Sequence, residues 1–209
     1  MMEDDYHRCV FINCPFDAQY LPLLQAVIFA VLDCGFHPRA AVEVDDGGEV
    51  RIGKIKRMIR DSRYGIHDIS RVQPDEASGL PRFNMPLELG LFLGAQEYGA
   101  GKQKQKRSLI LDQERWRYQQ FCSDIAGQDI RAHGDDPAQA IAAVRAMLAT
   151  AMKGTARIPG PGAICDRYTS FCLELPLLCC ALRVHPSELQ FVELRSLMTA
   201  WLGRHGPLD

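Results

Sequence analysis

The strongest constraint on the fold of this chain is an alternation. Short apolar runs that stop abruptly are followed by stretches of helical length, five times between residues 9 and 152. The first run, Cys9-Val10-Phe11-Ile12, ends at Asn13-Cys14-Pro15 and lacks the polar alternation of a half-exposed strand. It reads as a strand buried on both faces. Residues 36–44, 64–69, 108–111 and 128–131 supply the other four strand candidates. Helix candidates lie at 19–34, 49–61, 84–95, 114–125 and 138–152. The 19–34 stretch is apolar almost all round, so it is expected to be a largely buried helix. Pro22 fits only its first turn and Gly35 its end, while Asp135-Asp136-Pro137 opens the 138–152 helix. Buried strands joined by helices predict an α/β domain whose parallel sheet carries helices on both faces. The expected form is a five-stranded, doubly wound sheet of order 2-1-3-4-5, with ligands beyond the C-terminal strand ends.

Beyond a Pro/Gly-rich linker at 154–162, two more helices are expected at 166–182 and 186–202. Leu175, Leu177, Leu178, Leu182, Phe191, Leu194, Met198 and Leu202 form apolar stripes that cannot face water. The pair must pack together and against the main body or a second copy of the chain. The organisation read from the sequence is an α/β domain at 8–153 and a C-terminal helical hairpin appendage at 163–205, with a homo-oligomer expected.

A chain of 209 residues that is 47% hydrophobic and 24% charged has the core to fold, which excludes a disordered chain. Its net charge of −2 gives no pull toward nucleic acid or an anionic membrane, and neither is expected as a partner. No apolar stretch reaches membrane-spanning length, and acids precede the first apolar run, the wrong charge order for a secretory leader. The eight cysteines lack metal-site spacing, and Cys9, Cys14, Cys34, Cys172 and Cys179 sit in or beside apolar runs. The expectation is a reduced, cytoplasmic protein without disulfides, metal or cofactor.

In the expected topology the strand ends bring together a polar crevice. The first strand delivers Asn13, Phe16 and Asp17; the second Arg39, Glu43 and Asp45; the third Asp68 and Arg71. Arg82, Asn84 and Glu88 follow from the next loop and helix, and Asp112 from the fourth strand. Glu88 is the most informative acid, because Met85-Pro86-Leu87-Glu88-Leu89-Gly90 is otherwise apolar. A helix-start carboxylate gains from free amides, whereas burial pushes its pKa upward. Both a helix-start role and a functional one are open for it. Asp68 serves the crevice or caps a turn; Asn84 serves it or caps a helix. Arg39, Arg51, Arg71 and Arg82 each carry the donor fork that grips phosphate or carboxylate, and Arg82, between Pro81 and Phe83, is the preferred one. His67, inside the third strand, reads as a histidine beside the core, and Cys14 as a packed thiol. No dinucleotide fingerprint, P-loop, nucleophile elbow or zinc-ligand spacing is present.

Three segments carry a resemblance: Phe11-Ile12-Asn13-Cys14-Pro15-Phe16-Asp17, Arg63-Tyr64-Gly65-Ile66-His67-Asp68-Ile69-Ser70, and Pro81-Arg82-Phe83-Asn84-Met85-Pro86-Leu87-Glu88-Leu89-Gly90. Together they resemble an uncharacterised group of bacterial proteins. That group is similar to Toll/interleukin-1 receptor (TIR) domains and to nucleoside 2-deoxyribosyltransferases. The resemblance implies a flavodoxin-like sheet and N-glycosidic bond chemistry on a nucleoside or nucleotide, with NAD consumed and not used as a hydride carrier. Glu88 matches the glutamate that attacks or electrostatically supports the sugar carbon, and Asp68 matches the transferases' strand-end aspartate, which helps hold the sugar or base; the resemblance makes these two the expected catalytic residues. Asn13, Phe16, Asp17, Arg39, Arg82 and Asn84 are the expected substrate-binding residues. Arg82-Phe83-Asn84 stands where the transferases carry Asp-x-Gly-Thr, which leaves the substrate open. Many TIR-like proteins are adaptors or sensors, so the alternative is a non-catalytic module binding a nucleotide-derived signal or a protein partner.

Overall fold

The computed structural model describes residues 6–44, 46–74, 79–151 and 158–206. The strand-end position assigned to Asp45, and part of the expected linker at 154–162, lie outside the described residues. The elements run β1 (Cys9–Asn13), α1 (Leu21–Asp33), β2 (His37–Arg39), α2 (Arg51–Arg60), β3 (Tyr64–Asp68) and α3 (Asn84–Tyr98). They continue with β4 (Arg107–Asp112), β5 (Ile130–Ala132), α4 (Pro137–Ala151), α5 (Pro161–Leu182) and α6 (Phe191–His205). The five strands form one all-parallel sheet in the order 2-1-3-4-5, a flavodoxin-like arrangement. Register is fixed along the centre by Phe11 opposite Gly65 and Ile66 opposite Leu109.

Side chains of successive strand residues part to opposite faces, and the core clusters follow that division. Val10, Ile12, Ile66, Leu109 and Leu111 pack under α1 and α4. Phe11 packs with Ile55, Met58, Ile59 and Phe92 from α2 and α3 on the other face. α1 is apolar all round, and Ala26 to Val31 are all buried. The sheet covers one side of it, and α5 and α6 cover the other. Phe29 of α1 meets the rings of Phe171 and Trp201 at centroid distances of 5.7 and 5.9 Å. Asp33, at the end of α1, pairs with Arg167 of α5 at 3.3 Å. The C-terminal pair is therefore packed on the main body and completes a continuous core with it.

Several local expectations change. Residues 114–125 form two 3-10 turns, Arg117–Gln120 and Ser123–Ile125, in place of the expected helix. Trp116 takes a left-handed backbone (φ 66°), and Arg117 is tied back to Asp112, which together interrupt helical propagation. β2 occupies only three residues of the 36–44 stretch expected to hold the strand and its exit, and its Pro38 suits an edge strand. Leu177 and Leu182 are 74% and 52% exposed, outside the buried stripe of α5. That stripe runs through Ile164, Phe171, Leu175 and Cys179, too narrow to include them. Lys106, one of four basic residues between 102 and 107, is buried and donates to the Ile59 and Ser62 carbonyls.

Two outcomes follow. Phe171→Ala should cost about 3–5 kcal/mol, measured by urea denaturation; a loss near zero would mean that α5 contributes little to the core. All eight cysteines are free, so thiol titration of denatured, unreduced protein should find eight; six or fewer would contradict it.

Candidate functional site

The site is built from the first turns after three strands. β1 ends in Asn13, whose side-chain amide donates to the Met85 carbonyl at 2.9 Å and contacts His67 Nδ1 at 3.1 Å. One side chain thus ties β1, β3 and the start of α3 together. His67 fits here because Gly65 has no side chain. A Cβ at that position would lie 2.4 Å from His67 Nε2 and 2.8 Å from the Phe92 ring. Burial, with a smaller contribution from Lys106, pushes the His67 pKa down to about 3. The imidazole is therefore neutral at pH 7 and acts as a strut beside the core.

α3 begins at Asn84, with Phe83 in the capping position, so Asn84 is not the cap. Glu88 lies one turn further on, and the i, i+4 relation puts it on the same face as Asn84. The open helix end acts mainly within the first turn, and Glu88 is past it. Burial then prevails: the side chain, 6% exposed, has its pKa pushed up to about 7, against a smaller opposing pull from Arg51. Among the described residues no side chain or backbone group gives the Glu88 carboxyl a hydrogen bond or an ion pair. It lines a cavity of about 150 Å³, with Asn13, Cys14, Phe16, Arg51, Arg82 and Asn84 also on its wall. Cys14 is buried, and burial together with nearby carboxylates raises its thiol well above the usual value, so it stays protonated.

Of the residues expected in the crevice, the cavity brings together Glu88, Asn13, Phe16, Arg82 and Asn84. It does not include Asp17, Arg39 or Asp68. Asp17 accepts the Tyr20 backbone N–H at 3.0 Å and so caps the entry to α1. Arg39 donates to Glu43 at 2.7 Å, and Arg195 of α6 reaches the same carboxylate at 3.2 Å, which secures the helical pair to the β2 edge. Arg51, at the start of α2, takes the place expected of Arg39. The cue available in the sequence was its position directly after the second strand's exit loop.

Asp68 is fully buried in a network of its own. It accepts from Tyr20 Oη at 2.6 Å and from the Ser70 backbone N–H at 2.8 Å, and faces His133 Nε2 at 3.1 Å. His133 Nδ1 accepts the Asp135 N–H at 2.9 Å, which leaves the ring proton on the nitrogen facing Asp68. Burial pushes the Asp68 pKa up, but His133, Ser70 and Tyr20 outweigh it and hold the pKa below the usual carboxylate value. The carboxylate thus joins the residue that caps α1, the end of β3 and the segment after β5. Among the described residues no group of three or more His, Cys, Asp or Glu has the arrangement to hold a metal ion. No helix among them is long and apolar enough to cross a membrane.

Asp68→Asn keeps the volume but replaces one acceptor oxygen with a donor facing other donors. It should cost about 1–3 kcal/mol at pH 7, measured by denaturant titration. Because the folded pKa of Asp68 is lowered, its contribution is complete above the unfolded value and is lost as pH falls through the folded one. The gap between wild type and variant should narrow in that acidic range; a gap independent of pH would show that the charge of Asp68 is not what stabilises. No family model, curated protein or solved structure matches the chain, so the geometry of the site is what its function must be read from.

Proposed function

We propose that the Glu88 cavity carries out N-glycosidic bond chemistry on a nucleoside or nucleotide, in the manner of TIR-like NAD glycohydrolases or nucleoside deoxyribosyltransferases. The supporting observation is a buried carboxyl group with no protein partner among the described residues, facing a cavity also lined by two arginines. A carboxylate kept from internal partners is available to a ligand. The low-polarity surroundings that raise its pKa also strengthen its pull on a cationic centre.

In this reading the pentose enters the cavity and Glu88 lies beneath its anomeric carbon. As the glycosidic C–N bond breaks, its electron pair leaves with the base; the nicotinamide of NAD thereby becomes neutral, whereas a purine or pyrimidine takes a proton from solvent. The anomeric carbon becomes cationic, and the Glu88 carboxylate stabilises it or bonds to it. Water or a second base then attacks the same carbon and releases Glu88. Asn84 and Asn13 offer amides for sugar hydroxyls, Phe16 a ring for the base, and Arg51 and Arg82 donors for a phosphate. Asp68 contributes from behind by fixing the end of β3, as a positioning residue. Leu173 and Leu177, exposed on α5, support the further reading that a second copy of the chain packs there.

The enclosed volume favours a second reading. At about 150 Å³ it is below the roughly 300 Å³ at which ligand pockets usually begin. It admits a sugar-sized group and leaves the base outside; Val50, Phe83 and Leu87, chain neighbours of the lining residues Arg51, Arg82 and Glu88, are exposed. A non-catalytic module that binds a nucleotide-derived signal or a protein partner at this cavity has the same features.

Incubation with NAD and with a nucleoside panel, read by chromatography for released base, separates the two readings. Glu88→Gln should lower base release about a hundredfold or more, with the fold intact. The carboxylate is the active form, so the wild-type rate should rise with pH through about 7. The linked stability effect runs the other way. A carboxyl whose folded pKa is raised contributes fully below the unfolded value and loses that contribution as pH passes about 7. The glutamine variant should therefore melt higher than wild type at pH 8, by about 1–3 kcal/mol in stability. Undiminished base release by Glu88→Gln would end the catalytic assignment. Melting shifts with nucleotide but without turnover would favour the binding module.

A further inference from the structure

A second cleft, of about 470 Å³, lies at the opposite edge of the sheet, between residues 115–118, β5 and α4. It shares no lining residue with the Glu88 cavity and falls within the roughly 300–1000 Å³ of small-molecule sites. Ala142, Ala143 and Ile130 give it an apolar floor; Trp116 and Arg115 stand on its wall. Trp116 is 67% exposed and keeps a left-handed backbone (φ 66°) that a bulky residue rarely adopts. The indole is held in water without a packing return for the backbone strain, which is the usual mark of a contact surface.

The loop carrying it is anchored from below. Arg117 donates to Asp112 Oδ1 through Nε at 2.9 Å and to the Ser70 carbonyl at 2.7 Å, and its guanidinium lies 5.1 Å from the Phe121 ring centroid. Tyr118 is buried beside it. Trp116 and Arg115 are thus presented by a fixed loop. Arg131, across the cleft, is occupied by Asp129 at 2.7 Å, whereas Arg115 has no ion pair or hydrogen bond among the described residues. The cleft therefore offers an aromatic face, one uncommitted guanidinium, and the side-chain amides of Gln128 and Gln139 on its lining.

We propose that this cleft binds a mononucleotide, with the base stacked on Trp116, the phosphate on Arg115 and the amides reading the base edge. A planar heterocycle recovers the exposed indole face, and a phosphate matches the guanidinium fork. The binding is separate from the chemistry at Glu88 and stands without it.

Trp116 supplies its own probe, because the chain's other tryptophan, Trp201, is 2% exposed. AMP titrated into the full chain should quench tryptophan fluorescence saturably, with equilibrium dialysis giving the same affinity. Adenosine and ribose 5-phosphate, each carrying half of the recognised chemistry, should bind at least about tenfold more weakly. Arg115→Gln should weaken AMP by about tenfold or more and leave adenosine unchanged. Trp116→Leu should abolish the fluorescence response and weaken AMP in dialysis. Both substitutions are at exposed positions, and thermal melts check that the fold is kept. Arg115 and Trp116 line this cleft and not the Glu88 cavity, so the losses on their substitution separate the two sites. Absence of saturable AMP binding to the wild type, or binding that survives both Arg115→Gln and Trp116→Leu, would overturn the proposal.

Discussion

A helix that is apolar on every side has to be covered on every side, and α1 is such a helix. Its central residues, Ala26 to Val31, are all buried. A sheet covers only one flank of a helix, so the other flanks need partners. α4 supplies one, and α5 and α6 supply the rest, with Phe29 in contact with the rings of Phe171 and Trp201. The C-terminal pair is thereby a requirement of the second element of the chain. The Arg167–Asp33 and Arg195–Glu43 pairs add direction to that contact, since apolar burial by itself does not choose an orientation.

On the opposite flank a different kind of organisation holds the site. Asn13 joins three elements through one amide, and its contact with the Met85 carbonyl sets the first turn of α3 against the end of β1. The face that carries Asn84 and Glu88 then turns toward the crevice. Among the described residues the Glu88 carboxyl is left without a hydrogen-bond or ion-pair partner, while Asp68, twenty residues earlier in the chain, receives three. Two carboxylates from neighbouring elements are thus driven apart: hydrogen bonding holds one ionised, and burial holds the other near neutrality. Such a division of environments lets one acid serve the fold and the other serve a ligand.

The difference between these two acids also shows how far the site was legible. Glu88 stood out because it interrupted an apolar helix, a local property of the sequence. Asp68 stood out for a similarly local reason, at the end of a strand, yet its partners Tyr20 and His133 come from 48 residues before it and from the segment after β5. Nothing near Asp68 in the chain announces them. Arg39 and Arg51 make the same point. Both flank the second strand's exit, but Arg39 pairs locally with Glu43, which Arg195 of α6 also reaches, while Arg51 comes beside Glu88 only once α2 and α3 have packed.

Periodicity and punctuation in the sequence determined the parallel sheet, its strand order, the buried character of α1 and the need for a C-terminal cover. These follow from hydrophobic patterning, which acts over a few residues and is written in order along the chain. Tertiary structure alone decided which face of α5 is buried, so that Leu175 went inward and Leu177 outward. It also decided that residues 114–125 become an anchored loop. There Arg117 reaches Asp112 and the carbonyls of Ile69 and Ser70, and those long-range hydrogen bonds prevail over a modest local preference for helix. The cavity around Glu88 and the cleft beside Trp116 belong to the same category, because a void is defined by surfaces that meet only after the chain has folded.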